Sequence, residues 1–178
     1  MSERAISVRP LSAGEAGERN AALSEVLIDC VEGGASVSFM APLDRAKAEA
    51  FWRGVAESIA RGERTLLVAE DHAGGGIVGT VQVVFGQPEN QPHRADVSKM
   101  LVHRRARRRG VGAALMRAVE DVALASGRTL LVLDTATGGD AERLYERAGW
   151  TRVGVIPGYA LMPDGRPCDT TYFYKRLA

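Results

Sequence analysis

Val102-His103-Arg104-Arg105-Ala106-Arg107-Arg108-Arg109-Gly110-Val111-Gly112 is the stretch on which the reading of this chain turns. A predicted strand, Ala95 to Val102, runs into it. Alternation puts Asp96, Ser98, Met100 and Val102 on one face of that strand and Val97, Lys99 and Leu101 on the other. A predicted helix, Val111 to about Ala125, runs out of it, with Leu115, Met116, Val119, Val122 and Ala123 at helical spacing. Gly110 and Gly112 allow close approach of backbone to a ligand. The unpaired N–H groups and the dipole of a helix beginning at Val111 favour an anion. Arg107, Arg108 and Arg109 would add charge-assisted hydrogen bonds, so the loop suits a pyrophosphate. No Lys-Ser/Thr follows the second glycine, so this is not a Walker A loop, nor is it a full GxGxxG. One alternative is a solvated basic loop ahead of an ordinary helix. Another is a nucleic-acid contact; against it stand a net charge of +1 and the lack of aromatic residues among the arginines.

Working outward, Ala5 to Val8 reads as a first strand, ahead of Pro10. Glu15 to Val31 reads as one helix stopped by Gly33 and Gly34, and Pro42 and Asp44 open a second that reaches Arg61. Thr65 to Ala69 and Ile77 to Phe85 pair around a turn at His72 to Gly76. Beyond the central helix, the apolar run Thr129 to Asp134 is typical of a buried strand, and Asp140 to Ala148 of a short helix. Thr151 to Ile156 and Thr170 to Lys175 are the last strands, separated by a loop containing Pro157, Pro163, Gly165 and Pro167. The order β-α-α-β-β-β-α-β-α-β-β predicts one α/β domain of mixed α+β character spanning residues 1–178. Its centre is a mixed, mostly antiparallel sheet of about six to seven strands, flanked by about four helices.

The composition excludes several classes. With 178 residues, 46% hydrophobic and 25% charged, the chain is neither a disordered segment nor a fibre. No long uncharged apolar run supports a membrane span. Cys30 and Cys168 give neither a disulfide framework nor a zinc spacing, and His72, His93 and His103 add no metal-ligand pattern. No apolar leader is visible in Met1 to Pro10. The expectation is a cytoplasmic protein with no metal, no nucleic-acid partner and no membrane partner.

Arg107-Arg108-Arg109-Gly110-Val111-Gly112 resembles the Gln/Arg-x-x-Gly-x-Gly/Ala acyl-CoA loop of the GCN5-related N-acetyltransferase (GNAT) family. Ala141-Glu142-Arg143-Leu144-Tyr145-Glu146-Arg147-Ala148-Gly149-Trp150 resembles that family's A-x-x-L-Y-x-x-x-G-aromatic block, and the buried strand lies between the two as it should. Gly33 to Met40, Gly154 to Tyr159 and Pro163 to Arg166 resemble the tabtoxin-resistance branch of the family. The resemblance implies a GNAT-like fold with acetyl-CoA as co-substrate. It also implies transfer of an acetyl group to a small amino-acid-like amine, as in detoxification of a toxin or antibiotic. Two other readings stay open: a peptide or protein N-acetyltransferase, and a non-catalytic acyl-CoA-binding regulatory module. Where many members carry Asn three residues before the alanine, this chain has Gly138, so one usual contact to CoA is missing.

Such chemistry needs an amine stripped of its proton, a stabilised carbonyl oxygen and a donor for the departing thiolate. Tyr145 matches the family tyrosine that serves as acid; the alternative is a core aromatic that only orders the cofactor. Asp96 and Asp134, on two neighbouring strands, are the candidate bases, since an apolar surround raises a carboxylate pKa. Either could instead hold a substrate ammonium, or simply end its strand. The resemblance assigns cofactor contacts to Met100, Leu101 and Val102, to the loop Arg107, Arg108, Arg109, Gly110, Val111 and Gly112, and to Ala141. It points to Gly34, Ser36, Phe39, Asp134 and Tyr159 for substrate. Phe51 and Trp52 read as core.

Overall fold

The computed structural model describes residues 6–74 and 76–178, so Ala5 of the first strand and Gly75 of the first turn lie outside the described residues. Seven strands form one sheet in the order β1-β2-β3-β4-β5-β7-β6. They are β1 (Ile6–Leu11), β2 (Arg64–Asp71), β3 (Gly76–Val84), β4 (Arg94–Val102), β5 (Leu130–Ala136), β6 (Thr151–Leu161) and β7 (Pro167–Arg176). The helices are α1 (Ala13–Glu18), α2 (Asn20–Glu32), α3 (Arg45–Ala60), α4 (Val111–Ala125) and α5 (Asp140–Arg147). All pairings are antiparallel except β4 with β5. Pro10 sits within β1 because that strand is an edge, where a missing ladder N–H is tolerated.

Three expectations need correction. The helix read as Glu15 to Val31 is two helices. Ser12 and Glu15 form a capping box that starts α1 early (Glu15 N–H to Ser12 Oγ, 3.2 Å; Ser12 N–H to Glu15 Oε2, 2.9 Å). The helix then breaks at Arg19, whose guanidinium donates to Glu70 of β2. Apolar spacing continues across such a break, so the sequence hides it. Second, β6 runs to Leu161, and the expected proline-rich loop is the far half of a long hairpin. An irregularity between Ile156 and Ala160 absorbs Pro157 and Gly158, and Met162 to Arg166 closes the turn.

Third, β4 does not alternate uniformly. Opposite Val81 it carries two residues, Lys99 and Met100, and Lys99 takes φ +50°. The bulge reverses the faces. Ala95 and Val97 pack with α4 and α5, and so do Met100 and Val102; Leu101 packs with α2 and α3. Asp96 and Ser98 therefore face away from Met100 and Val102, against the simple period of two.

Two cores result. Leu23, Leu27, Trp52, Leu66 and Leu101 join α1, α2 and α3 to strands β1 to β4 on one face. Leu115, Met116, Leu131, Tyr145 and Phe173 join α4 and α5 to the other face, across to β7. The first core includes no residue of β5, β6 or β7, so that half of the α2–α3 face is left without a helix over it.

Candidate active site

β4 and β5 stay paired only from Arg94↔Leu130 to Asp96↔Val132 and then diverge. The result is a wedge between Val97–Val102 and Leu133–Ala136, with the start of α4 at its base. Backbone groups alternate in direction along a strand. The Leu101 carbonyl and the His103 N–H both point toward β3: a Cβ on Gly79 would lie 3.0 Å from Leu101 O, and His103 N donates to Val78 O at 2.9 Å. Leu101 is thus used by the sheet rather than by a ligand. By that alternation Met100 and Val102 turn their backbone groups the other way, and the Val102 carbonyl there accepts from Cys30 Sγ (3.5 Å) and Arg107 Nε (3.4 Å).

The arginine loop divides its labour. Arg104 donates to Asp29 (2.9 Å), Arg105 to Glu25 (2.8 Å) and Arg109 to Asp71 (2.7 Å). Arg109, expected at the anion, is held against β2 by a nearly buried carboxylate and acts as an anchor of the loop. Arg107 lies against Val102 O at 3.4 Å, and Arg108 makes no ion pair among the described residues. Gly110 adopts φ +77° and gives α4 no side-chain cap, so the N–H groups of its first turn stay open. Gly112 is where α5 comes close: a Cβ there would meet Leu144 Cδ2 at 3.0 Å. Open N–H groups, a Cβ-free approach and a neighbouring guanidinium fit a diphosphate at this helix start. Ala141 lies in the first turn of α5, packed against the same core.

Tyr145 reaches the wedge from the α5 side. Its ring packs against Phe173 (5.8 Å) and Trp150 (6.1 Å), and its hydroxyl makes no hydrogen bond among the described residues. Burial pushes the phenol well above its ordinary pKa, and the Asp134 carboxylate adds to the rise. Tyr145 therefore stays protonated, within electrostatic reach of Asp134. Asp134 stands on the opposite face, in register with Tyr172, whose hydroxyl donates to that of Tyr159 at 2.9 Å. Partial burial raises the Asp134 pKa; the Lys99 ammonium opposes the rise and Asp96 reinforces it. Asp96 itself is engaged, accepting from Arg94 and from Gln87 (2.9 Å). The two carboxylates expected to share a role are thus separated by their surroundings.

Over the open half of the α2–α3 face, the α2–α3 connection meets the β6–β7 hairpin. Ser36 Oγ donates to Leu161 O (2.8 Å) and Ala41 N–H to Pro163 O (2.9 Å). The Ser36 hydroxyl, expected to face substrate, is the stitch between these loops. Gly34 likewise belongs to the end of α2, with φ +89°. Phe39 packs edge-on against Phe51 (5.3 Å), and the Lys99 ammonium lies over Phe51 at 5.8 Å. Lys99 and Phe51 were missed by sequence reasoning. The one signal was a lysine between Val97 and Leu101 on a face read as apolar; the bulge turns it to the site.

Among the described residues there is no cluster of groups suited to a metal ion, and no helix is long and apolar enough to cross a membrane. Between 96% and 98% of the chain superposes on several solved structures. A GNAT superfamily phosphinothricin acetyltransferase from Sinorhizobium meliloti, in complex with acetyl-CoA, has 17% identity and a TM-score of 0.77, covering 98% of this chain and 90% of that one. A ribosomal-protein-alanine N-acetyltransferase from Brucella melitensis has 22% identity and a TM-score of 0.78, with 96% and 99% covered. A GCN5-related N-acetyltransferase from Kribbella flavida has 22% identity and a TM-score of 0.78, with 97% and 98% covered. These likenesses establish the shared fold. A family model for an acetyltransferase (GNAT) domain matches residues 62–152, over half of the chain and spanning the arginine loop, the wedge and Tyr145. The chain belongs to the GNAT acetyltransferase family.

Proposed function

We propose that this protein is an acetyl-CoA-dependent N-acetyltransferase acting on a small amino-acid-like amine. The observation that carries the reading is the β4–β5 wedge, with a neutral Tyr145 on one side and a pKa-raised Asp134 on the other. The first turn of α4, Arg107 and Arg108 hold the diphosphate of acetyl-CoA, and the backbone of Met100 and Val102 pairs with its pantetheine amides. Bound there, acetyl-CoA supplies a thioester carbonyl open to attack. Asp134 takes the proton of the substrate ammonium, directly or through a water. The free amine forms the C–N bond as the C–S bond breaks. The Met100 N–H donates to the carbonyl oxygen as negative charge gathers on it. Tyr145 donates its hydroxyl proton to the departing thiolate, and the new amide nitrogen sheds its second proton through water to the Tyr145 oxygen, which restores the phenol; Asp134 gives up its own proton to solvent as product leaves. Protonation of Asp134 removes one of the charges that holds the Tyr145 pKa up, so the base step favours the acid step.

The small-substrate reading is supported by the stitched loops. Ser36–Leu161 and Ala41–Pro163 bridge the region that an extended peptide would have to cross. Phosphinothricin, named for one structural neighbour, is a compact amino acid; ribosomal-protein alanine, named for another, is a protein terminus, so the fold does not choose between them.

Release of CoA thiol from acetyl-CoA, in the presence of a panel of free amino acids, dipeptides and long peptides, tests the function. Turnover with small amines is expected. Turnover with long peptides alone overturns the substrate class, and acetyl-CoA binding without any turnover overturns catalysis. Asp134→Asn tests the base. The rate should fall at acid pH as Asp134 is protonated, with a midpoint above the ordinary Asp value because its pKa is raised. Asn at this position should remove that acidic limb and lower the plateau by roughly 10²-fold or more. A retained limb in a pH–rate profile assigns deprotonation to another group.

A further inference from the structure

Lys99 has no role in the transfer chemistry, yet its position is unusual. The residue takes φ +50° at the β4 bulge, a costly conformation for a side chain other than Gly or Asn. The bulge swings the ammonium onto the α2–α3 face. There it donates to Ser38 Oγ at 3.0 Å and lies over the Phe51 ring at 5.8 Å. No ion pair joins it to Asp134 or to any other carboxylate among the described residues, although the Asp134 charge is felt there. Ser38 is itself at φ +76°, so both partners of this contact hold left-handed backbone.

A second observation points to the same place. Gln82 on β3 is in register with Ser98, next to Lys99, and shares that face of the sheet. It is fully buried. Arg64 Nη1 donates to its Oε1 at 2.7 Å, which fixes the amide orientation. Its Nε2 is left as a buried donor with no partner. A group of donors without an acceptor is costly unless something negative completes it. Asp134 stands on the same face, with no side-chain donor in contact among the described residues. The two halves are a cation-bearing side at Lys99 and an anionic side at Asp134, not joined to each other.

We propose that Lys99, with Ser38 in contact and Gln82 on the same face of the adjoining strand, is the carboxylate subsite of the acceptor substrate, and that the substrate is therefore an amino acid or dipeptide whose free carboxylate lies close to the amine acetylated. The assignment rests on the small-amine reading above and deepens it. Asp134 receives the ammonium, Lys99 the carboxylate, and Phe51 and Phe39 form the apolar wall alongside. An amine lacking the carboxylate leaves the Lys99 ammonium without a counter-charge in a partly desolvated site, which is how such sites discriminate.

The test uses pairs of probes: free L-amino acids and the α-amide of each, assayed by CoA thiol release with saturating acetyl-CoA. Wild-type protein should prefer the acid to its amide by roughly 10–100-fold in kcat/KM, the range of one or two hydrogen bonds to a charged group. Lys99→Met, similar in length but uncharged, should collapse that ratio toward one. Ser38→Ala should reduce it, and Lys99→Arg should keep part of it. Because the readout is a ratio within one variant, a general loss of stability does not imitate it. Equal use of acids and amides by wild-type protein, or an undiminished ratio in Lys99→Met, overturns the Lys99 assignment and leaves the small-amine reading standing. Turnover of neither acids nor amides, with turnover of long peptides, overturns both.

Discussion

Replacing Tyr145 by Phe should lower the rate of acetyl transfer by roughly 10²–10⁴-fold, the usual contribution of a placed general acid. Acetyl-CoA affinity should be little changed, because the ring and its contacts with Phe173 and Trp150 are retained. The hydroxyl makes no hydrogen bond among the described residues, so its removal leaves no protein partner orphaned, and stability should hold or rise slightly. This separates the acid from a packing residue. A packing role predicts an unchanged chemical step in Tyr145→Phe and a large loss of stability only in Tyr145→Ala. Single-turnover measurement with acetyl-CoA bound beforehand isolates the step. A near-wild-type rate there reduces Tyr145 to an aromatic that shapes the wedge. The pH dependence adds a check. Burial and Asp134 both hold the phenol neutral, so wild-type activity should show no alkaline fall from Tyr145 near neutrality.

The parts legible in the sequence were those with a local code. The loop after Val102 and the helix from Val111 are set by backbone chemistry, and the structure places both as expected. The short helix ending at Gly149 follows from local pattern, the resemblance of Ala141 to Trp150 to a family block singles out Leu144, Tyr145 and Trp150, and the structure buries Tyr145 and Trp150 together. What the sequence hid depends on pairing between distant segments. The β4 bulge arises from register with β3, and no pattern within Ala95 to Val102 announces that two residues will stand opposite Val81. That bulge is what separates Asp96 from Met100, turns Lys99 into the site and so changes the list of functional residues. The arginine loop reads as one basic cluster, but Asp29, Glu25 and Asp71 come from other elements and claim Arg104, Arg105 and Arg109. In the same way Ser36 reads as a free hydroxyl, and only the long β6–β7 hairpin, itself hidden by its prolines, brings Leu161 to it.

Gly110→Asp should abolish measurable acetyl-CoA binding, by roughly 10²-fold or more, in a protein that still folds. The two halves of that statement come from one geometry. Gly110 immediately precedes Val111, the first residue of α4, at φ +77°, and a Cβ built on it meets nothing within 4 Å. Asp is among the few side chains tolerated in left-handed backbone, and Asp is also a favoured helix cap. The new carboxylate would accept from the open N–H groups of the first turn and suit the helix dipole, so α4 should lose little stability. For the cofactor the same event is ruinous. The carboxylate occupies the N–H groups that a diphosphate needs and sets a negative charge against it. Each lost hydrogen bond to a charged group is worth about 1.5–3 kcal/mol, so the loss of two already exceeds a hundredfold in affinity. Gly110→Ala is the control. It carries the backbone strain of a Cβ at positive φ, about 1–2 kcal/mol, without the charge or the cap. Calorimetric titration with acetyl-CoA should show Gly110→Ala binding close to wild type or modestly weaker, and Gly110→Asp not binding, while thermal denaturation shows both folded. Equal affinity of Gly110→Asp and wild type would move the diphosphate away from the start of α4. It would leave Arg107 and Arg108 without the ligand that explains why, among the described residues, they make no ion pair with a carboxylate while Arg104, Arg105 and Arg109 do.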